Sequence, residues 1–207
     1  HFASAITEQS LGGLDAAAKA LWGGVFTVAS FMTTTGFESR YWLGAADWSG
    51  LGSPGLVLVG LSLIGGGIAT TAGGVKLLRI YALFRHSERE LERLVHPHSI
   101  GGAGQVERRI RREGAFHAWI FFLIFALSIA AVLVTLSLTG IQFEDALVLT
   151  VAALSTTGPL AEVAAEAPIA ISGIPEAAKV ILALAMVLGR LEALVIIALF
   201  NPDFWRK

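Results

Sequence analysis

The spacing of charged positions divides the chain. No Asp, Glu, Lys or Arg occurs between Asp47 and Lys76, or between Glu113 and Glu144. A helix needs about 20 consecutive apolar residues to cross a bilayer. Residues 118–136 meet that length, with Trp119 near one end as an interfacial anchor, and predict a crossing over 116–137. Residues 180–200 predict another over 179–200, although Arg190 and Glu192 lie in its middle. Residues 54–84 are long enough for a third, but glycines interrupt them. Two more apolar stretches, 14–35 and 144–157, are helix-like and each end in a Thr/Gly cluster. Residues 1–20 lack the basic start and apolar core of a signal peptide.

Basic residues orient these spans. Nine of the 15 Lys and Arg lie between Lys76 and Arg112, and none lies between Gly140 and Ala178. The positive-inside rule makes the linker 86–113 cytoplasmic. Segments 1–53 and 139–178 then face outward, and Arg206 and Lys207 return to the cytoplasm. Three crossings satisfy this: 54–84 inward, 116–137 outward and 179–200 inward. The apolar stretches on the outer side cannot cross without spoiling the orientation. They are expected to be re-entrant helices, over about 14–35 and 144–155, since irregular backbone at membrane depth must be buried in protein or line a cavity. Composition agrees. Of 207 residues 55% are hydrophobic and only 15% charged, with mean hydropathy +0.70, against about 25% charge in soluble domains. The absence of cysteine excludes a disulfide scaffold, a thiolate metal site and a cysteine nucleophile. The net charge of −1 argues against a nucleic-acid partner. A chain that begins at His1 rather than Met reads as a piece of something longer.

The two clusters repeat one another. Met32-Thr33-Thr34-Thr35-Gly36 aligns with Leu154-Ser155-Thr156-Thr157-Gly158, 122 residues apart. The unit is crossing, re-entrant helix, Thr-Thr-Gly, crossing. Its second copy is complete over 114–207, and the first, 1–85, lacks its opening crossing. Repeats of this kind in transport proteins place the ion site at their interface. Dehydrating a cation in a membrane needs replacement oxygens at close range. Backbone carbonyls supply them without a counter-charge that would trap the ion. Glycine permits the dihedrals that turn successive carbonyls to one axis. Threonine adds a hydroxyl, and the helix directs its negative C-terminal end at the ion. The other reading is that each TTG merely ends a helix; two copies on one face weigh against it.

Five ordered motifs, FMTTTGF (31–37), GGGIATTAGGVKLLRIYALFR (65–85), RLVHP (93–97), LSTTGP (154–159) and MVLGRLE (186–192), run through nearly the whole chain. Together they resemble the C-terminal part of a Trk/Ktr-type potassium uptake protein, of the bacterial Trk membrane-subunit kind. The resemblance implies an all-α polytopic membrane protein of potassium-channel type. Its pore would consist of four crossing–re-entrant helix–crossing repeats in one polypeptide, of which one and a half to two are present. It implies filter strands at 34–37 and 156–159, with Thr34, Thr35, Gly36, Thr156, Thr157 and Gly158 binding potassium as substrate. No cofactor is expected. The implied setting is the inner membrane, as a homodimer regulated by a cytosolic nucleotide-binding subunit, with ions moving passively down their gradient and the membrane potential. This stretch departs from the family pattern in length: it lacks the first two repeats and the opening crossing of the third, and would supply half a filter.

Gly65, Gly66, Gly67, Gly73 and Gly74 sit inside a crossing, and each costs about 1 kcal/mol against alanine in a helix. The helix should break there. Close helix packing through small residues is one explanation; the resemblance implies a gating loop below the filter. Val75 after Gly74 excludes a Walker A motif, and the GxGxxG pattern of 50–55 contains Pro54 and reads as a turn. Arg190 is costly in a crossing. It serves either a bridge to another helix or, as the resemblance favours, a positive charge beside the pore. His86, His96 and His98 suggest a metal less than a solvated charged face, and RHSERELER (85–93) reads as a surface helix able to dock a cytosolic subunit. Glu144, Asp145, Glu162, Glu166 and Glu176 would enrich cations at the outer mouth. No residue set supports catalysis. A membrane-embedded hydrolase built on Ser155 would need a base in reach, and His117 belongs to the opposite end of its crossing. A non-conducting helical membrane subunit is the other alternative.

Overall fold

The computed structural model describes residues 10–67, 70–95, 105–165 and 168–190, and no strand occurs among them. In chain order their helices are α1 Ser10–Met32, α2 Trp42–Ser49, α3 Pro54–Ile64, α4 Leu77–Val95, α5 Gln105–Ser137, α6 Phe143–Leu154, α7 Leu160–Val163 and α8 Glu176–Arg190. A 3-10 turn, Ile171–Gly173, precedes the last.

α5 is the long element. Its 33 residues rise about 1.5 Å each, reaching about 50 Å. The stretch Phe116–Ser137 is long and apolar enough to cross a membrane, and most of it is not covered by the rest of the chain. The crossing read at 116–137 falls here. The one read at 54–84 is split into α3 and α4 by the glycine-rich stretch. The one read at 179–200 coincides with α8 as far as Arg190; its remainder, with Glu192, Arg206 and Lys207, lies outside the described residues. The segment read as a linker at 86–113 is helical at both described ends, where α4 runs to Val95 and α5 starts at Gln105. Ion pairs at helical spacing favour this, such as Arg85 with Glu88.

α2, not foreseen from the sequence, meets α3 at 108°. Gly50 ends α2 in the left-handed region at φ 66, and Pro54 opens α3. The GxGxxG stretch is therefore a helix–helix corner. α1 packs on α2 and α3.

α6 forms the centre. From Val148 to Leu154 every residue is buried, as an all-round apolar helix requires. One face joins Phe121, Phe125, Leu136, Ala178, Leu182 and others from α5 and α8. The opposite face, through Val151 and Ala152, joins Phe31, Trp42, Leu58 and Leu160. Glu144 and Asp145 occupy its first turn, where negative charge suits the helix dipole.

Candidate functional site

α1 and α6 end in the same way. The amides of Thr33, Thr34 and Thr35 donate to the carbonyls of Ala29 (3.0 Å), Phe31 (3.1 Å) and Ser30 (2.9 Å). The amides of Ser155, Thr156 and Thr157 donate to those of Val151 (2.8 Å), Ala153 (3.1 Å) and Ala152 (2.9 Å). Each bond matches its counterpart at the 122-residue offset. The pattern is a Schellman helix end, whose αL position is usually glycine. Here that position holds Thr34 at φ 55 and Thr156 at φ 56. A β-branched residue there is a genuine outlier, costing about 1–2 kcal/mol. The side chains repeat too: the Thr33 and Thr35 hydroxyls pair at 3.0 Å, and Ser155 Oγ donates to Thr157 Oγ1 at 3.1 Å.

After this the copies diverge. Gly36 takes φ 83, and its amide reaches the Ser30 carbonyl at 3.3 Å. Gly158, followed by Pro159, is not left-handed. The Thr157 and Gly158 carbonyls then accept from the Leu160 and Ala161 amides, which leaves each oxygen a second lone pair. Thr34, Gly36 and Thr157 are buried, Thr156 is half-buried, and Thr35 and Gly158 are exposed.

The two clusters touch. A Cβ at Gly36 would lie 3.0 Å from Pro159 Cδ and 3.2 Å from Thr157 Cγ2. The glycine-rich loop reaches both. The Gly73 amide donates to Thr34 Oγ1 at 3.1 Å, and a Cβ on Gly73 would lie 2.2 Å from the Ser155 carbonyl oxygen. From α8, Gly189 approaches the Leu154 carbonyl equally closely.

The two ends of the loop meet. The Val75, Lys76 and Leu77 amides donate to the Leu63 (2.9 Å), Ile64 (2.9 Å) and Gly66 (3.1 Å) carbonyls. The end of α3 thus receives its bonds from beyond the loop. Gly65 at φ 72 and Gly74 at φ 79 make the two sharp turns. A Cβ on Gly65 would lie 2.1 Å from the Gly73 oxygen, so side chains cannot enter this neck. Gly66 lies against Ala72 and Thr70, whereas Gly67 has open space. Residues 68 and 69 lie outside the described residues.

Behind the loop is a cavity of about 120 Å³, lined by Thr71, Lys76, Phe121, Ser128, Leu154 and Arg190 among others. Arg190 Nη1 donates to the Thr71 carbonyl at 2.8 Å, which ties the last helix to the loop. Arg79 lies over the Phe121 ring at 3.7 Å and also reaches the Val75 carbonyl. Sequence reasoning missed Arg79, Gly189 and Pro159. Gly189 carried a signal, since glycine inside an apolar helix marks a close approach; Arg79 and Pro159 act through contacts that no spacing announces. His86 lies on α4, and His96 and His98 lie outside the described residues.

A family model described as TrkH, cation transport protein, matches residues 8–207. The chain belongs to this family. It is 34% identical over 193 residues to the Trk system potassium uptake protein TrkH of Salmonella typhimurium, covering 93% of this chain and 38% of that protein. Against the TrkH of Escherichia coli K12 it is 35% identical over 182 residues, 88% of this chain and 36% of that one. The crystal structure of the potassium transporter TrkH from Vibrio parahaemolyticus matches with a TM-score of 0.70 at 31% identity, over 95% of this chain and 40% of that one. This TrkH-family chain therefore spans less than two-fifths of the length of these curated relatives. The relatives are named as potassium uptake proteins, not as enzymes. The all-α fold is that of a membrane transporter, as the motifs imply, and all five motifs fall within the matched residues.

Proposed function

We propose that this chain contributes two neighbouring strands of a cation filter to a potassium-uptake protein of the inner membrane. The observation that carries the reading is the matched pair of helix ends, with Thr34 and Thr156 both strained into the left-handed region. Strain kept twice in one register points to a function. In this reading α1 and α6 are pore helices, whose C-terminal ends are electronegative toward a cation. Thr34, Thr35 and Gly36, with Thr156, Thr157 and Gly158, offer carbonyls and hydroxyls in place of water. The glycine-rich loop, with Gly65, Gly66, Gly67, Gly73 and Gly74, restricts the path beneath them, and Arg190 holds positive charge beside it. The spans follow the positive-inside orientation, with 86–113 cytoplasmic. A homodimer and a cytosolic nucleotide-binding regulatory subunit complete the assembly.

The test is potassium-limited growth of an uptake-deficient strain carrying the intact protein, with sodium as competitor. Gly36→Ser and Gly158→Ser, checked for equal membrane insertion, are expected to make uptake more sensitive to sodium. Unchanged growth and unchanged competition in both variants would overturn the filter. No cation flux from the purified wild-type protein in liposomes would favour a non-conducting subunit.

A further inference from the structure

Thr34 does more than end a helix. Its hydroxyl is buried and accepts the amide of Gly73, 39 residues away. Gly73 is itself buried and has no room for a side chain beside the Ser155 carbonyl. The neck is closed by the Leu63–Val75 and Ile64–Lys76 pairs, neither of which involves residues 70–74. Among the described residues, two hydrogen bonds hold this limb to other elements: Gly73 to Thr34, and Thr71 to Arg190. The cavity of about 120 Å³ lies alongside it. From these observations we propose that Thr34 is a positioning residue whose hydroxyl latches the 70–74 limb of the loop against both helix ends. The inference rests on the conduction reading only for its consequence; the latch itself is a matter of docking.

Deleting the hydroxyl leaves the Gly73 amide buried and unpaired in the docked state, while undocking gives it to water. Such an unpaired group shifts an equilibrium by roughly tenfold, equivalent to about 1.4 kcal/mol. The chain has no cysteine, so a single Ala72→Cys, at a position 8% exposed, reports undocking by its rate of maleimide labelling. The measurement uses the intact protein in membranes, with any cysteines elsewhere replaced by serine. Thr34→Val keeps the shape and removes the acceptor. Thr34→Gly removes it while suiting the left-handed backbone, so it remains informative if valine fails to insert. Both are expected to speed labelling about tenfold, and Thr34→Ser to keep the wild-type rate. Unchanged labelling in the valine and glycine variants, or an equal rise in serine, would overturn the latch. Cation uptake is read in parallel: faster labelling with unchanged uptake would leave the latch standing and count against the loop as a restriction on flux.

Discussion

Gly36 and Gly158 occupy the same place in the repeat but should answer oppositely to alanine. At Gly36 the backbone is left-handed, φ 83, which costs an L-residue about 1–2 kcal/mol. The new methyl would also sit 3.0–3.2 Å from Pro159 Cδ, Pro159 Cγ and Thr157 Cγ2. The proline ring cannot rotate aside and Thr157 is buried, so overpacking adds about 1 kcal/mol. The expected loss is roughly 2–3 kcal/mol. At Gly158 the backbone is not left-handed, and nothing lies within 4 Å of the added carbon. Alanine there restricts the unfolded chain and stabilises by about 0.4–1 kcal/mol. The measurement is unfolding of the intact protein in detergent, followed by tryptophan fluorescence, at matched purity. Gly36→Ala should unfold at clearly lower temperature than wild type, and Gly158→Ala at the same or slightly higher temperature. Equal losses at both sites would refute the reasoning, because something would then pack on Gly158 that the described residues do not supply. Stability and selectivity separate here: the filter reading expects serine at either glycine to weaken discrimination, whichever of the two also weakens the fold.

Two further outcomes follow from the same contacts. Gly189→Ala would place a Cβ 2.2 Å from the Leu154 carbonyl oxygen and should lower apparent stability by about 1–3 kcal/mol, whereas Gly67→Ala, in open space, should leave it unchanged; thermal unfolding reads both. Arg190→Ala removes a positive charge tied to the Thr71 carbonyl; at about 6 Å and an effective dielectric constant of about 20 that charge opposes a cation by roughly 3 kcal/mol, so uptake per inserted molecule should rise by up to about a hundredfold, and a fall in uptake with poor folding would make Arg190 a structural tie.

How far the sequence carried depends on what each residue's signal is. α6 was legible to within a residue or two because residues 146–154 are unbroken in apolarity but for Thr150, and such a run suits only a buried helix. The loop was legible because five glycines in eleven residues cannot stay helical cheaply. Its neck was not: Val75 bonds to Leu63, twelve positions back, and no periodicity reports such a pair. α2 escaped notice because eight residues give too few turns for a pattern. The helix ends were half legible. The repeat announced them, but glycine was assigned the unusual dihedral. The structure gives it first to Thr34 and Thr156, two positions earlier, against the intrinsic preference of β-branched residues.

That displacement explains how one loop can serve two similar ends. A pair of equivalent ends offers a single loop two equal docking sites, and the loop can occupy only one geometry. The chain resolves this by presenting a different group from each end. In the first copy the αL threonine turns its hydroxyl to the Gly73 amide. In the second the carbonyl of Ser155 lies against the Cα of the same glycine, while Pro159 redirects the backbone into α7. An amide requires an acceptor, and a carbonyl at close range requires the absence of a Cβ. Gly73 meets both demands at once, which alanine cannot. The equivalence of the helix ends is therefore kept in the three backbone bonds that close each helix, and it is lost in the contacts each end makes with the loop and in the backbone that follows.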